Sequence, residues 1–191
     1  MKKWMAILLA AVLLLTMPAC RRNKTDNTPS DSEAQTQNTT QAKAQPLVGT
    51  MEENVNKIME KNPAEFMGGQ MPVDLQDTTE EGLWALKSFT GLNSPEKISD
   101  IAVYEPMTGS QAFSLLMIRV KNAADAKEIA RQMKDNIDPR KWICAMADQI
   151  MAAGYEDVVM FVMLDSNLGK TAQSYVDTFQ TLCGGKLDFT I

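Results

Sequence analysis

A chain of 191 residues with 19 Lys and Arg, 24 Asp and Glu and a formal net charge of −5 has no basic block behind Lys24 of the kind that binds nucleic acid. It contains no histidine, which excludes a Ser-His-Asp triad, a Cys-His pair and a histidine zinc site and leaves lysine- or carboxylate-based catalysis open. The 45% apolar fraction is that of a globular protein, with length for one domain behind a leader and too little for two.

Lys2 and Lys3 precede an apolar run from Trp4 to Leu15. The run is shorter than the roughly 20 residues of a membrane span and reads as the middle of a secretory signal peptide. Met17-Pro18-Ala19-Cys20 follows. A small residue directly before a cysteine resembles the bacterial lipobox, in which the thiol is acylated before cleavage. Met17 stands where Leu is usual, and Pro18 is an uncommon neighbour. The expectation is a lipoprotein signal peptide over 1–19 and lipid on Cys20. The competing readings are a plain secretory signal with an incidental cysteine, or an uncut anchor. Two acyl chains hold a protein firmly where one holds weakly. Arg21, Arg22 and Lys24 would then lie near anionic headgroups. The segment 20–46 is rich in Thr, Gln, Asn, Ser and Ala. It has too little apolar surface to fold and is predicted to be a disordered tether reaching roughly 25–30 Å in r.m.s. terms.

A single globular domain is expected over 47–191. Thr50 and Glu53 have capping-box spacing, and Met51, Val55, Ile58 and Met59 share a helical face. Asn62-Pro63 ends that helix. A loop through Gly68, Gly69 and Pro72 follows. Thr78 and Glu81 repeat the capping spacing ahead of Leu83, Trp84 and Leu86, and Gly91 is placed to close this second short helix. Ile101 and Val103 alternate as in a half-buried strand. Glu105 to Ser110 reads as a loop. Phe113 to Val120 is apolar on both faces, the pattern of an internal strand. Asn122 is placed to cap a helix carrying Ile129, Met133 and Ile137, stopped by Asp138-Pro139. Trp142 to Ala153 fits a helix or a bent strand, and a hairpin of about Gln149–Ala153 with Val158–Leu164 is favoured. Leu168, Ala172, Tyr175, Val176, Phe179 and Leu182 form one stripe of a last helix, capped by Asp165 or Ser166 and ended by Gly184-Gly185. Leu187, Phe189 and Ile191 alternate as a final strand. The fold class is therefore α+β: an antiparallel sheet in ββαββαβ order with helices packed on one face, preceded by two short helices.

The run Glu105-Pro106-Met107-Thr108-Gly109-Ser110-Gln111-Ala112-Phe113-Ser114 leads into Leu115–Val120. Lys121-Asn122-Ala123-Ala124-Asp125-Ala126 follows, and then Ile137-Asp138-Pro139-Arg140-Lys141-Trp142-Ile143-Cys144. Together these resemble a family of bacterial lipoprotein domains of unknown function, mostly from Gram-positive anaerobes. The resemblance covers about Leu83 to Leu164, with the same lipobox and tether ahead of it. It implies a location and an α+β fold, and no activity, ligand or catalytic residue. The chain departs from the family at Ala145–Asp148, which is less acidic here.

Each chemical motif has a plainer account beside it. Gly169-Lys170-Thr171 echoes a phosphate loop, but Leu164 stands where that loop needs a glycine. Asp165-Ser166-Asn167 hints at a calcium loop and lacks its later acidic ligands. Met67, Met71, Met160 and Met163 offer soft sulfur for copper, yet methionine is a common core filler. Cys144 and Cys183 are open to a disulfide or to two separate buried thiols. The best surface candidate joins Glu105 to Arg140, Lys141 and Trp142, two loop segments suited to a carboxylate or a glycan. Its plainer account has the cations covering a helix end and Trp142 in the core. No cofactor or metal is expected.

The leading expectation is a lipid-anchored extracytoplasmic module, non-enzymatic, that binds a protein or envelope partner. A small-ligand accessory to a transporter is the alternative. A cell-wall hydrolase using paired carboxylates, with Glu105 and Asp157 as conceivable members, comes third.

Overall fold

In the computed structural model, which describes residues 47–191, the first element is set by its cap. The Thr50 hydroxyl accepts from the Glu53 amide, and the Glu53 carboxylate accepts from the Thr50 amide, so both groups of the predicted box are used. Helix α1 runs Met51–Lys61 and buries Met51, Val55 and Ile58. The predicted signal peptide, Cys20 and the tether lie outside the described residues.

Residues 68–71 correct the predicted loop. They form strand β1, Gly68–Met71, which pairs antiparallel with the end of β2, Ile98–Pro106. Glu105 and Pro106 thus belong to a strand and not to a loop. Helix α2, Glu80–Thr90, is capped by Thr79 and not by Thr78, through a bond from the Gly82 amide. Asp77 takes both the amide and the hydroxyl of Thr79, which fixes the second of the two adjacent threonines as the cap. Gly91 closes α2 at φ 76°, a left-handed conformation that suits glycine.

Strand β3, Phe113–Val120, is the predicted internal strand. Asn122 caps a 3₁₀ turn, Ala123–Asp125, that leads into α3, Ala126–Asn136. The favoured hairpin is present as β4, Gln149–Tyr155, and β5, Val158–Leu164, and residues 142–148 are neither helix nor strand. Asp165 caps a second 3₁₀ turn, Ser166–Leu168, and Thr171 caps α4, Ala172–Leu182. Strand β6, Phe189–Thr190, returns beside β4, where the ring of Phe189 lies in the space that a side chain at Gly154 would need.

The six strands form one antiparallel sheet in the order β1-β2-β3-β5-β4-β6. The predicted placing of all helices on one face is corrected: they cover both. Leu115, Met117, Met160 and Val162 pack with Met51, Val55, Ile58, Tyr175 and Phe179 from α1 and α4. Leu116, Ile118, Val159 and Phe161 pack with Leu86 of α2 and Ile129, Ala130 and Met133 of α3. The cause lies in β3 and β5, where successive apolar side chains point to opposite faces. Bare, either face would leave several large side chains in water, at about 1.5–3 kcal/mol each.

Candidate functional site

The start of β3 and the end of β2 meet at one edge of the domain, called here the loop end. Glu105 sits opposite Gly69 in the β1–β2 register, with its side chain turned inward. Its Oε1 accepts from the Ser114 hydroxyl at 2.7 Å and forms an ion pair with Lys141 Nζ. The side chains of Lys141 and Glu105 are only 15% and 11% exposed. The Lys141 ammonium lies 5.2 Å from the ring centroids of both Phe89 and Trp142, within cation–π range. Burial holds the Lys141 pKa below its ordinary value, against the pull of Glu105 towards the charged form.

The segment after α3 delivers this lysine. The Asp138 carboxylate accepts from the Arg140 amide at 2.9 Å, the Ala147 amide donates to the Pro139 carbonyl, and the Asp148 amide donates to the Leu164 carbonyl. Of the predicted surface group, Glu105, Lys141 and Trp142 come together, but beneath the surface. Arg140 does not join them. Its side chain is 75% exposed and pairs with Asp138, at 3.6 Å.

The loops that carry or flank these buried residues also expose large apolar side chains. Met67 is 78% exposed, Met107 68%, Ile143 91% and Met146 53%. Three loops bring them together: the Met107 amide donates to the Met67 carbonyl at 3.0 Å, and the Cys144 amide to the Gly109 carbonyl at 3.3 Å. The Ile143 side chain lies over Gly109. Thr108, Ser110 and Gln111 bond to one another beside it. Sequence reasoning missed this surface. Its signal was apolar residues inside Gly- and Pro-bearing loops, where no core position is available to them.

The other sequence candidates resolve into structural roles. Gly169 closes the 3₁₀ turn at φ 74°, and Thr171 caps α4. Asp165 caps its own turn, and Asp148 binds the Ser166 amide and hydroxyl. Met160 and Met163 are fully buried in opposite core clusters, so they cannot share an ion. Among the described residues no group of three His, Cys, Asp or Glu is placed to hold a metal. Cys144 is exposed, Cys183 is buried and both are free. Glu105 bonds to Ser114 and Asp157 to Arg119, near opposite ends of β3. Those strand positions are about 17 Å apart at 3.3–3.4 Å per residue, beyond the roughly 5–10 Å of a glycosidase pair. Away from the loop end, Trp84 is 71% exposed and lines an open groove of about 620 Å³ with Glu80, Glu81 and Ala85 on α2.

Compared with protein-family models, with curated proteins and with solved structures, the chain finds no match. No helix among the described residues is long and apolar enough to cross a membrane.

Proposed function

We propose that this protein is an extracytoplasmic lipoprotein, anchored through Cys20, whose folded domain is a non-enzymatic module that binds a protein of the cell envelope through the loop end. The reading rests on one observation: four large apolar side chains, Met67, Met107, Ile143 and Met146, stand more than half exposed on three joined loops. Contiguous exposed apolar surface marks interaction sites, and methionine adapts its shape to a partner. The buried Lys141–Glu105–Ser114 cluster holds the loops beneath it, so the surface is formed before a partner arrives. The short leader and the cysteine after Ala19 support the anchor.

The test is a pair of surface substitutions, Met107→Asp and Ile143→Asp, in the full-length chain. Both positions are exposed, so each variant should fold with its melting temperature unchanged. Each should lose the co-purifying envelope partner that the unaltered chain retains under the same wash. Retention of that partner by both variants would remove the loop end from consideration.

A second reading is favoured by Trp84. An exposed indole beside Glu80 and Glu81 is a platform on which a sugar or an amine can stack. A melting-temperature rise with wall fragments or sugars, abolished in Trp84→Ala, would put small-ligand binding first.

A further inference from the structure

The two edges of the sheet differ. At one edge β6 adds two residues to β4, and Phe189 stands opposite Gly154 in that register. Its ring fills the space that a Cβ at Gly154 would need, with the nearest ring atom 2.2 Å away. A large side chain laid over a glycine of the neighbouring strand pins the register of an edge. At the other edge lies β1, and among the described residues no strand pairs with its outer side.

β1 presents what an incoming strand needs. The Met107 amide donates to the Met67 carbonyl, so residues 67, 69 and 71 turn their backbone groups towards β2. The same alternation directs the amides and carbonyls of Gly68 and Gln70 outward. Edges are commonly blunted by charged side chains, and Gly68–Met71 carries none. Its two glycines are unlike. A Cβ at Gly68 would meet the Tyr104 ring at 2.7 Å and the Glu105 carbonyl oxygen at 2.9 Å, so packing requires glycine there. A Cβ at Gly69 would have no described atom within 4 Å, and the Gly69 backbone is not left-handed. Neither packing nor conformation accounts for Gly69. Glycine inside a strand often marks the close approach of another backbone.

The surroundings of β1 select a partner by charge. A groove of about 350 Å³ at the end of β1 is lined by Gln70, Met71, Ile101, Ala102 and Glu52. Ala102 belongs to the core on the α1 face, and Met71 and Ile101 pack on the opposite face, so the groove lies at the sheet edge itself. From Asn62 to Leu86 the chain carries Glu65, Asp74, Asp77, Glu80 and Glu81 and no Lys or Arg.

We infer that β1 is the docking edge for an extended, basic segment of the partner protein, which pairs with the outward backbone groups of Gly68 and Gln70 and lays a large apolar side chain over Gly69, as Phe189 does over Gly154. Such strand addition takes its affinity from main-chain bonds and its specificity from alternate side chains. The inference rests on the reading of the loop end as the partner surface: β1 begins beside Met67, so strand and apolar side chains form one interface. A second copy of β1 is a poor occupant, because it brings no cation to an acidic edge.

The test uses a displayed library of short random peptides selected on the full-length chain. Retained peptides should combine Lys or Arg with apolar residues at alternate positions. Gln70→Pro removes an outward amide at an edge position where proline is tolerated. It should keep the melting temperature of the chain and weaken these peptides about tenfold or more. Gln70→Ala loses the same side-chain bond to Asn56 but keeps the amide, and should bind them as the unaltered chain does. Gly69→Val occupies the open space, and should also fold while binding about tenfold more weakly. Failure to retain any peptide, equal binding by all four chains, or equal loss in Gln70→Ala and Gln70→Pro would overturn the strand addition. So would sedimentation of the unaltered chain as a dimer that Gln70→Pro splits. The envelope partner separates this inference from the reading beneath it. If Gln70→Pro keeps the partner that Met107→Asp loses, strand addition fails and the loop end stands. If Met107→Asp and Ile143→Asp both keep it while Gln70→Pro loses it, the loop end fails and the edge stands.

Discussion

At one end of β3 a lysine is buried with a glutamate; at the other an arginine lies partly exposed with an aspartate. Lys141 and Glu105 are 15% and 11% exposed, against 21% and 30% for Arg119 and Asp157. The lysine is a point charge, and its surroundings suit one. A carboxylate, a backbone carbonyl of Ser88 and two aromatic faces enclose the ammonium, and little is left for water. The arginine is a fork whose two arms do different things. One takes the carboxylate, and the other takes the backbone carbonyl of Leu47. The first pair shapes a surface from below. The second fastens a segment from the side. Burying a charge is expensive unless it is paired, so the two pairs differ sharply in what their loss should do.

The largest effect should come from Lys141→Met, which leaves Glu105 buried with only Ser114 to serve it. Loss of about 3–5 kcal/mol is expected in urea denaturation. The double variant Lys141→Met, Glu105→Leu should recover most of it, because the uncompensated charge is gone. If the single and double variants are equally damaged, the cost lies in packing and the contrast between the two ends fails. Arg119→Ala should be milder, about 1.5–3 kcal/mol for bonds to a charged group, discounted towards the lower figure because the pair is partly wet.

Titration tests the buried groups in a different way. Burial pushes the Cys183 thiol from 9.0 up to about 12 and the Tyr175 phenol from 10.0 up to about 12. Each stays protonated in the folded chain after it has ionised in the unfolded one. Their contribution is complete below pH 9 and is lost as pH rises towards 12. Lys141 acts in the opposite sense: its pKa is lowered, so between that value and 10.5 the unfolded chain binds more protons and stability rises. Urea midpoints measured from pH 8 to 11 should fall most steeply above about pH 10.5 in the unaltered chain, where Lys141 no longer opposes Cys183 and Tyr175. They should fall less in Cys183→Ala, measured against its own value at pH 8.

A smaller effect, of opposite sign, is expected at Tyr175. It packs 5.2 Å from the Phe113 ring at the start of β3, and its hydroxyl is buried without a hydrogen-bond partner. Tyr175→Phe should stabilise the fold by about 1 kcal/mol, since an unsatisfied buried hydroxyl is removed. A buried polar group with partners (Lys141) should thus cost stability when deleted, and one without partners should return it. The smallest effect is at Ile143, where Ile143→Ser should change stability by no more than about 0.5 kcal/mol.

Much of this fold was legible because local signals and burial agree. The Thr50–Glu53 box, the left-handed Gly91 and the β4–β5 hairpin follow from short-range rules. The misses have definite causes. Gly68 and Gly69 carry no side-chain pattern, so β1 exists only through its pairing with β2. Pro106 made Glu105 look like a loop residue, but Pro106 is the last residue of β2, where a missing amide is tolerated. The unbroken apolar character of β3 and β5 already required cover on both faces, and the one-face expectation contradicted it. The candidate site was half legible. Glu105, Lys141 and Trp142 were named from their segments, but their contact joins residues 36 apart in sequence, and no periodicity encodes that. Exposure of Met67, Met107 and Ile143 is decided by which loops meet, again a long-range fact.

The most direct test of the apolar loop end as a binding surface places a photo-crosslinking residue at one end of the sheet or the other in intact cells. With the probe at Met107, a protein adduct of one defined mass should form, and it should vanish when Ile143→Asp is added. With the probe at Lys121, just past the other end of β3, that adduct should be absent. The same adduct from position 121, or a protein adduct at 107 that Ile143→Asp does not affect, would contradict the assignment.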